Sequence, residues 1–137
     1  MGRSTIKHGE AYLPELGVVE AITTGANGAY TAQIEQDTTL RKVVTVTSGG
    51  ATEYLVLPKA KQELIGREIL LSVGANGYEL VTPSASGDTI NQVDADGTNQ
   101  LDVAANTLVR CTQVSATGWV AETIAATTIA VTAPDND

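Results

Sequence analysis

From residue 18 onward, short apolar runs alternate with clusters of small polar residues. Residues 18–24, 29–34, 40–47, 53–57, 67–73, 78–82, 89–93, 101–103, 108–114, 118–124 and 127–132 are rich in Val, Ile, Leu and Thr. Between them stand Gly, Ser, Asn, Asp and Pro, the residues that turn a chain. About nine or ten short strands at this spacing predict an all-β protein, an antiparallel β-sandwich or a jelly-roll-like small barrel. Three connections read as hairpin turns: Gly25-Ala26-Asn27-Gly28, Ser48-Gly49-Gly50-Ala51 and Gly74-Ala75-Asn76-Gly77. In two of them an Asn-Gly pair offers the positive φ angles that a tight hairpin needs. The Gly-Ala-Asn-Gly tetrapeptide occurs twice, but its flanks do not match, which favours independent turn chemistry over internal duplication. Pro58 ends the run before it, because proline has no N–H for a ladder. Residues 59–66 (KAKQELIG) have helical composition for one short turn, with Gly66 closing it.

The two ends differ from this body. Residues 1–16 show no steady apolar period, and Pro14 interrupts them. They carry Arg3, Lys7 and, when protonated, His8, together with Ile6, Tyr12, Leu13 and Leu16. Such a stretch is either a frayed tail or an extended N-terminal arm that orders against a partner. The division expected is an arm over 1–16 and a single antiparallel β domain over 17–137. Near the other end, residues 125–133 are uncharged and of high β propensity. A bare edge of that kind is an aggregation hazard, so it is expected to be covered within its own sheet or by another subunit.

Composition narrows the picture. A chain of 137 residues buries roughly 68% of its unfolded surface, enough for one core without disulfides or metals. Apolar residues make up 42% of the chain, but aromatics only 4%, and there is no Phe. The core must therefore come from Val, Ile, Leu and Ala, with Trp119 and the tyrosines as the few large fillers. The single Cys111 excludes an intramolecular disulfide, and its neighbours Leu108, Val109 and Val114 suggest a buried, inert thiol. A formal net charge of −8 disfavours nucleic acid and anionic membrane surfaces as partners. No apolar run reaches the length of a membrane span and no leader pattern opens the chain, so synthesis in a cytoplasm is expected.

Catalytic chemistry is sought and mostly not found. The only histidine, His8, lies in the arm, far in sequence from Cys111 and from every strand serine, which argues against a His-based nucleophile. One His and one Cys cannot supply a structural zinc site. No Gly-rich loop ends in Lys-Ser/Thr to cradle phosphate. Two carboxylates for glycosidase chemistry remain arithmetically possible, but no spacing selects a pair. Asp94-Ala95-Asp96-Gly97-Thr98-Asn99 is the one metal-like run. Gln92 stands where a calcium loop's first ligand belongs and Val103 where its bidentate Glu belongs, so a polar turn is the preferred reading. No cofactor and no enzymatic activity are expected.

One segment resembles a known family. Val81-Thr82-Pro83, Ser86-Gly87-Asp88-Thr89-Ile90-Asn91, Leu101-Asp102-Val103, Leu108-Val109-Arg110-Cys111 and Gly118-Trp119 are similar to a β-module pattern of tailed-phage structural proteins. Tyr54 to Pro58 and Gly66 to Ile69 resemble its upstream strands, so the likeness covers roughly residues 40 to 122. The pattern occurs in tail-fibre modules and in small head decoration, or cement, proteins. A lone small domain with an arm is more similar to the latter. That resemblance implies a structural virion protein on the outer capsid surface, made in the host cytoplasm. It also implies that the major capsid protein is the partner and that the chain is a homotrimer. Arg3, Ile6, Lys7, Tyr12, Leu13 and Leu16 are then the expected capsid contacts. The alternatives are a receptor- or glycan-binding module of a tail appendage, with Tyr30, Tyr54, Tyr78 and Trp119 as candidate platforms, and a free soluble β domain of a cell.

Overall fold

The computed structural model describes residues 18–97 and 99–126. Ten strands follow one another: β1 (Val18–Thr23), β2 (Arg41–Thr47), β3 (Tyr54–Val56), β4 (Glu68–Val73), β5 (Tyr78–Val81), β6 (Thr89–Ile90), β7 (Val93–Asp94), β8 (Leu101–Val103), β9 (Thr107–Ser115) and β10 (Gly118–Ala126). They form a seven-stranded sheet of order β1-β2-β4-β9-β10-β6-β7 and a three-stranded sheet of order β3-β5-β8. The all-β expectation holds, but a purely antiparallel arrangement does not.

Half of the fold is wound in parallel. β1 pairs with β2 and β2 with β4 in parallel in the large sheet, while β3 pairs with β5 in parallel in the small one. Gln33 bridges Val56, also in parallel. Each circuit of the chain thus lays one strand in the large sheet, turns a corner and then runs along the small sheet. Lys42 stacks on Val18, 24 residues earlier, and Glu68 on Arg41, 27 earlier. The arrangement is solenoid-like over its first three circuits.

The three segments expected as hairpins are these corners. A two-residue primed hairpin turn needs positive φ at both central residues. In the first segment only Gly28 has it, at 78°, and in 74–77 no residue does. The chain therefore steps across to the second sheet instead of doubling back. The two Gly-Ala-Asn-Gly segments occupy the equivalent corner of the first and third circuits. At Gly77 the demand is for space, since a Cβ there would lie 2.2 Å from the Val103 carbonyl oxygen. The strand expected over 29–34 shrinks to the bridge at Gln33. The helical composition of 59–66 yields one 3₁₀ turn, Gln62–Leu64, and Gly66 follows with φ 99°. The run over 127–132 lies outside the described residues.

Antiparallel pairing closes the sheet. β9 pairs with β4 on one side and β10 on the other, the latter being the one expected hairpin that forms. β6 and β7 make a second hairpin through Asn91 and Gln92, with φ 52° and 69°. Between the sheets lies the aliphatic core foreseen from composition. Val44, Val46, Ile69, Leu71, Val109 and Cys111 of the large sheet meet Leu55, Tyr78, Leu80 and Val103 of the small one. Trp119 is 1% exposed and fills the end beside Ile90.

Candidate functional site

Among the described residues seven polar or charged side chains are buried, and most of their polar atoms are committed to holding loops. Arg67, 1% exposed, donates from Nε to Gln113 Oε1 at 3.0 Å and from an Nη to the Lys59 carbonyl at 2.7 Å. Its guanidinium lies 5.0 Å from the centroid of the Trp119 ring. Burial lowers the Arg67 pKa, with Asp37 and Asp88 opposing that loss. Gln113 Nε2 donates onward to the carbonyls of Lys61 and Ser115. Gln113 and Arg67 therefore staple the 59–66 segment to β9. Asp88 is fully buried and accepts the Ala60 N–H at 2.8 Å and Lys59 Nζ at 3.3 Å. Lys42 points inward from β2 and donates to Asp37 at 2.7 Å and Glu20 at 2.9 Å. Its burial opposes the charge, but the bonds to Asp37 and Glu20 outweigh that and raise its pKa. Buried charges are normally paired in this way.

The segment that carries the family resemblance is accounted for by the same kind of bonding. Gly87 takes φ 79°, Asp88 holds the 59–60 backbone, Ile90 is core, and Asn91 binds the backbone of β10. These residues fix the local fold.

The metal-like run bonds to itself and its neighbour. Asp94 Oδ1 accepts the Asp96 N–H at 3.1 Å, Asp96 Oδ2 accepts the Gly87 N–H at 2.7 Å, and Asn99 Nδ2 donates to the Asp94 carbonyl. The side-chain hydrogen bond between Asp94 and Asp96 raises the pKa of the first and lowers that of the second. Among the described residues no group of three or more His, Cys, Asp or Glu is placed to hold a metal ion. The expected capsid contacts Arg3, Ile6, Lys7, Tyr12, Leu13 and Leu16 lie outside the described residues. Of the candidate sugar platforms, Tyr78 and Trp119 are buried. Tyr30 and Tyr54 pack edge to face, half-buried, with centroids 5.5 Å apart.

A surface that the sequence reading missed is the outward face of the large sheet. Pairing registers align Val19, Val43, Leu70, Arg110 and Glu122 in one row across β1, β2, β4, β9 and β10. The next row holds Arg41, Glu68, Thr112 and Val120. Five of the eight exposed large aliphatics among the described residues, Val19, Val43, Val114, Val120 and Ile124, are on outward positions of this sheet. The groove at the centre has a volume of about 350 Å³ and is lined in part by Val43, Leu70 and Ile124. Arg41, Lys42, Glu68 and Arg110 also line it. On the outward strand positions the charges are Arg41, Glu68, Arg110 and Glu122, two of each sign, and Arg110 already pairs with Glu122 at 2.5 Å. The signal for this face was present in sequence. β4 reads EILLSV and β2 RKVVTVT, with aliphatic residues in both the inward and the outward sets, as in strands covered on both sides.

No protein-family profile, curated protein or solved structure matches the chain.

Proposed function

We propose that the chain is a structural virion protein that binds the outer surface of a phage capsid and stabilises the head lattice, as decoration proteins do. The observation that carries this reading is the neutral, aliphatic outward face of the large sheet, which nothing among the described residues covers. Contiguous exposed apolar surface of this kind marks an association site rather than a solvated wall. The buried polar residues support the same reading, because they brace loops instead of converging on a cleft. In this role one face of the large sheet is sealed on the core and the other is presented for association. The arm, with Ile6, Tyr12, Leu13 and Leu16 as apolar anchors and Arg3 and Lys7 for acidic neighbours, is the part proposed to seat on the major capsid protein. The work done is adhesive, without catalysis or cofactor. The burial of Tyr78 and Trp119 gives the glycan-binding alternative less support.

The test mixes the purified chain with capsids that lack it and measures co-sedimentation and the heat resistance of the shells. Saturable binding with raised shell stability is expected. A chain that stays in the supernatant at every concentration refutes the reading.

A further inference from the structure

We propose that the outward face of the seven-stranded sheet packs against the same face of a second copy about a two-fold axis. Three observations select that occupant. First, β1, β2 and β4 are parallel neighbours, and parallel strands are ordinarily covered on both faces; among the described residues the core covers one only. Second, the chain carries −8 overall, yet the charges on the outward positions of β2, β4, β9 and β10, namely Arg41, Glu68, Arg110 and Glu122, balance. Two strongly acidic molecules approach at least cost where their local charge vanishes. Third, the pattern of charge is self-complementary. A two-fold axis along the strands between β4 and β9 exchanges β4 with β9 and β2 with β10, given the order β2-β4-β9-β10. By register Arg41 on β2 then lies opposite Val120 on β10 of the second copy and Glu68 on β4 opposite Thr112 on its β9, each one outward position along the strand from the oppositely charged Glu122 and Arg110. An isologous contact of this kind needs only one patch that fits itself.

Five strands about 4.8 Å apart and paired over about six residues make a face roughly 24 Å by 20 Å. That is about 1,000 Å² over both copies, near the lower limit for a specific interface. The pairing is therefore a reversible one, with dissociation in the micromolar range.

Sedimentation of the full chain over a wide concentration range tests it. A monomer–dimer equilibrium is expected. Val43→Lys should weaken association at least tenfold, whereas Val93→Lys, an exposed valine on the β6–β7 hairpin, should not. Should Val43→Lys fail to fold, Thr45→Arg on the same face serves in its place. Reversing all four charges together (R41E, E68R, R110E and E122R) should keep self-association but abolish pairing with the unaltered chain. A monomer at every concentration, a trimer, or an association indifferent to Val43→Lys and Thr45→Arg overturns the proposal. A monomer that still binds shells overturns it while leaving the capsid reading intact.

Discussion

Asn91 holds both backbone groups of Ala121: its Nδ2 donates to the Ala121 carbonyl at 3.2 Å, and its Oδ1 accepts the Ala121 N–H at 2.9 Å. β6 and β10 pair over only two residues, Gly118 with Thr89 and Trp119 with Ile90. The amide of Asn91 prolongs that short parallel ladder by one further step. Removing it strands a donor and an acceptor at the margin of the core. Asn91→Ala is expected to cost about 1–2 kcal/mol, read as a lower urea midpoint with an unchanged slope.

The neighbouring residue offers a gain. Gln92 sits at φ 69° in the second position of the two-residue turn between β6 and β7. That conformation is strained for a residue with a Cβ and free for glycine. Gln92 is exposed, so little packing is lost on replacing it. Gln92→Gly is expected to raise stability by about 0.5–1 kcal/mol, the relief of strain exceeding the added entropy of the unfolded chain. A fall in the unfolding midpoint would show that the turn is not strained.

Arg67 and Gln113 should behave as one unit. Arg67→Met leaves Gln113 Oε1 buried without its donor and is expected to cost about 3 kcal/mol or more. Pairing it with Gln113→Leu removes the orphan, and the double variant should be more stable than the two single losses added together. A double-mutant cycle measures this coupling. Strict additivity would mean that the two side chains do not depend on each other.

Alkaline pH should weaken the fold through Cys111. Burial pushes its thiol from 9.0 up to about 12. Above pH 9 the unfolded chain releases this proton while the folded chain keeps it. The stabilisation is therefore complete below pH 9 and is lost as pH rises towards 12, at up to about 1.4 kcal/mol per unit. Cys111→Ala should flatten that decline between pH 9 and 10, although it lowers stability at neutral pH by opening a small cavity. At the acid end Asp37 acts in the opposite sense. Desolvation raises its pKa, but the bonds from Lys42 and Thr39 prevail and hold it below 3.8. Its contribution is present above pH 3.8 and is lost as pH falls further.

The strand positions were legible because alternation and turn residues act over a few neighbours. β2, β4, β9 and β10 lie within one or two residues of the runs read from sequence, and the 3₁₀ turn fell where KAKQELIG placed it. Partnership was not legible. Gly-Ala-Asn-Gly can close a hairpin or turn a corner, and the choice depends on whether Val43 and Leu70 find each other across 27 residues. No local rule contains that information. The same limit hid the outward face, since Val19, Val43 and Arg110 become neighbours only through register. Arg67 was equally opaque, because an arginine opening a strand gives no sign that Trp119 and Gln113 will enclose it.

The stacked circuits carry a consequence for growth of the molecule. Arg41 to Arg67 is one complete turn of the winding, and its two sheet strands meet their neighbours in the preceding and following turns. A copy of those 27 residues spliced after Arg67 would find matching strands above and below it, in line with the nearest-neighbour energetics of repetitive folds. Tandem duplication within such a gene lengthens the protein by whole increments, so size can drift in evolution without redesigning either end.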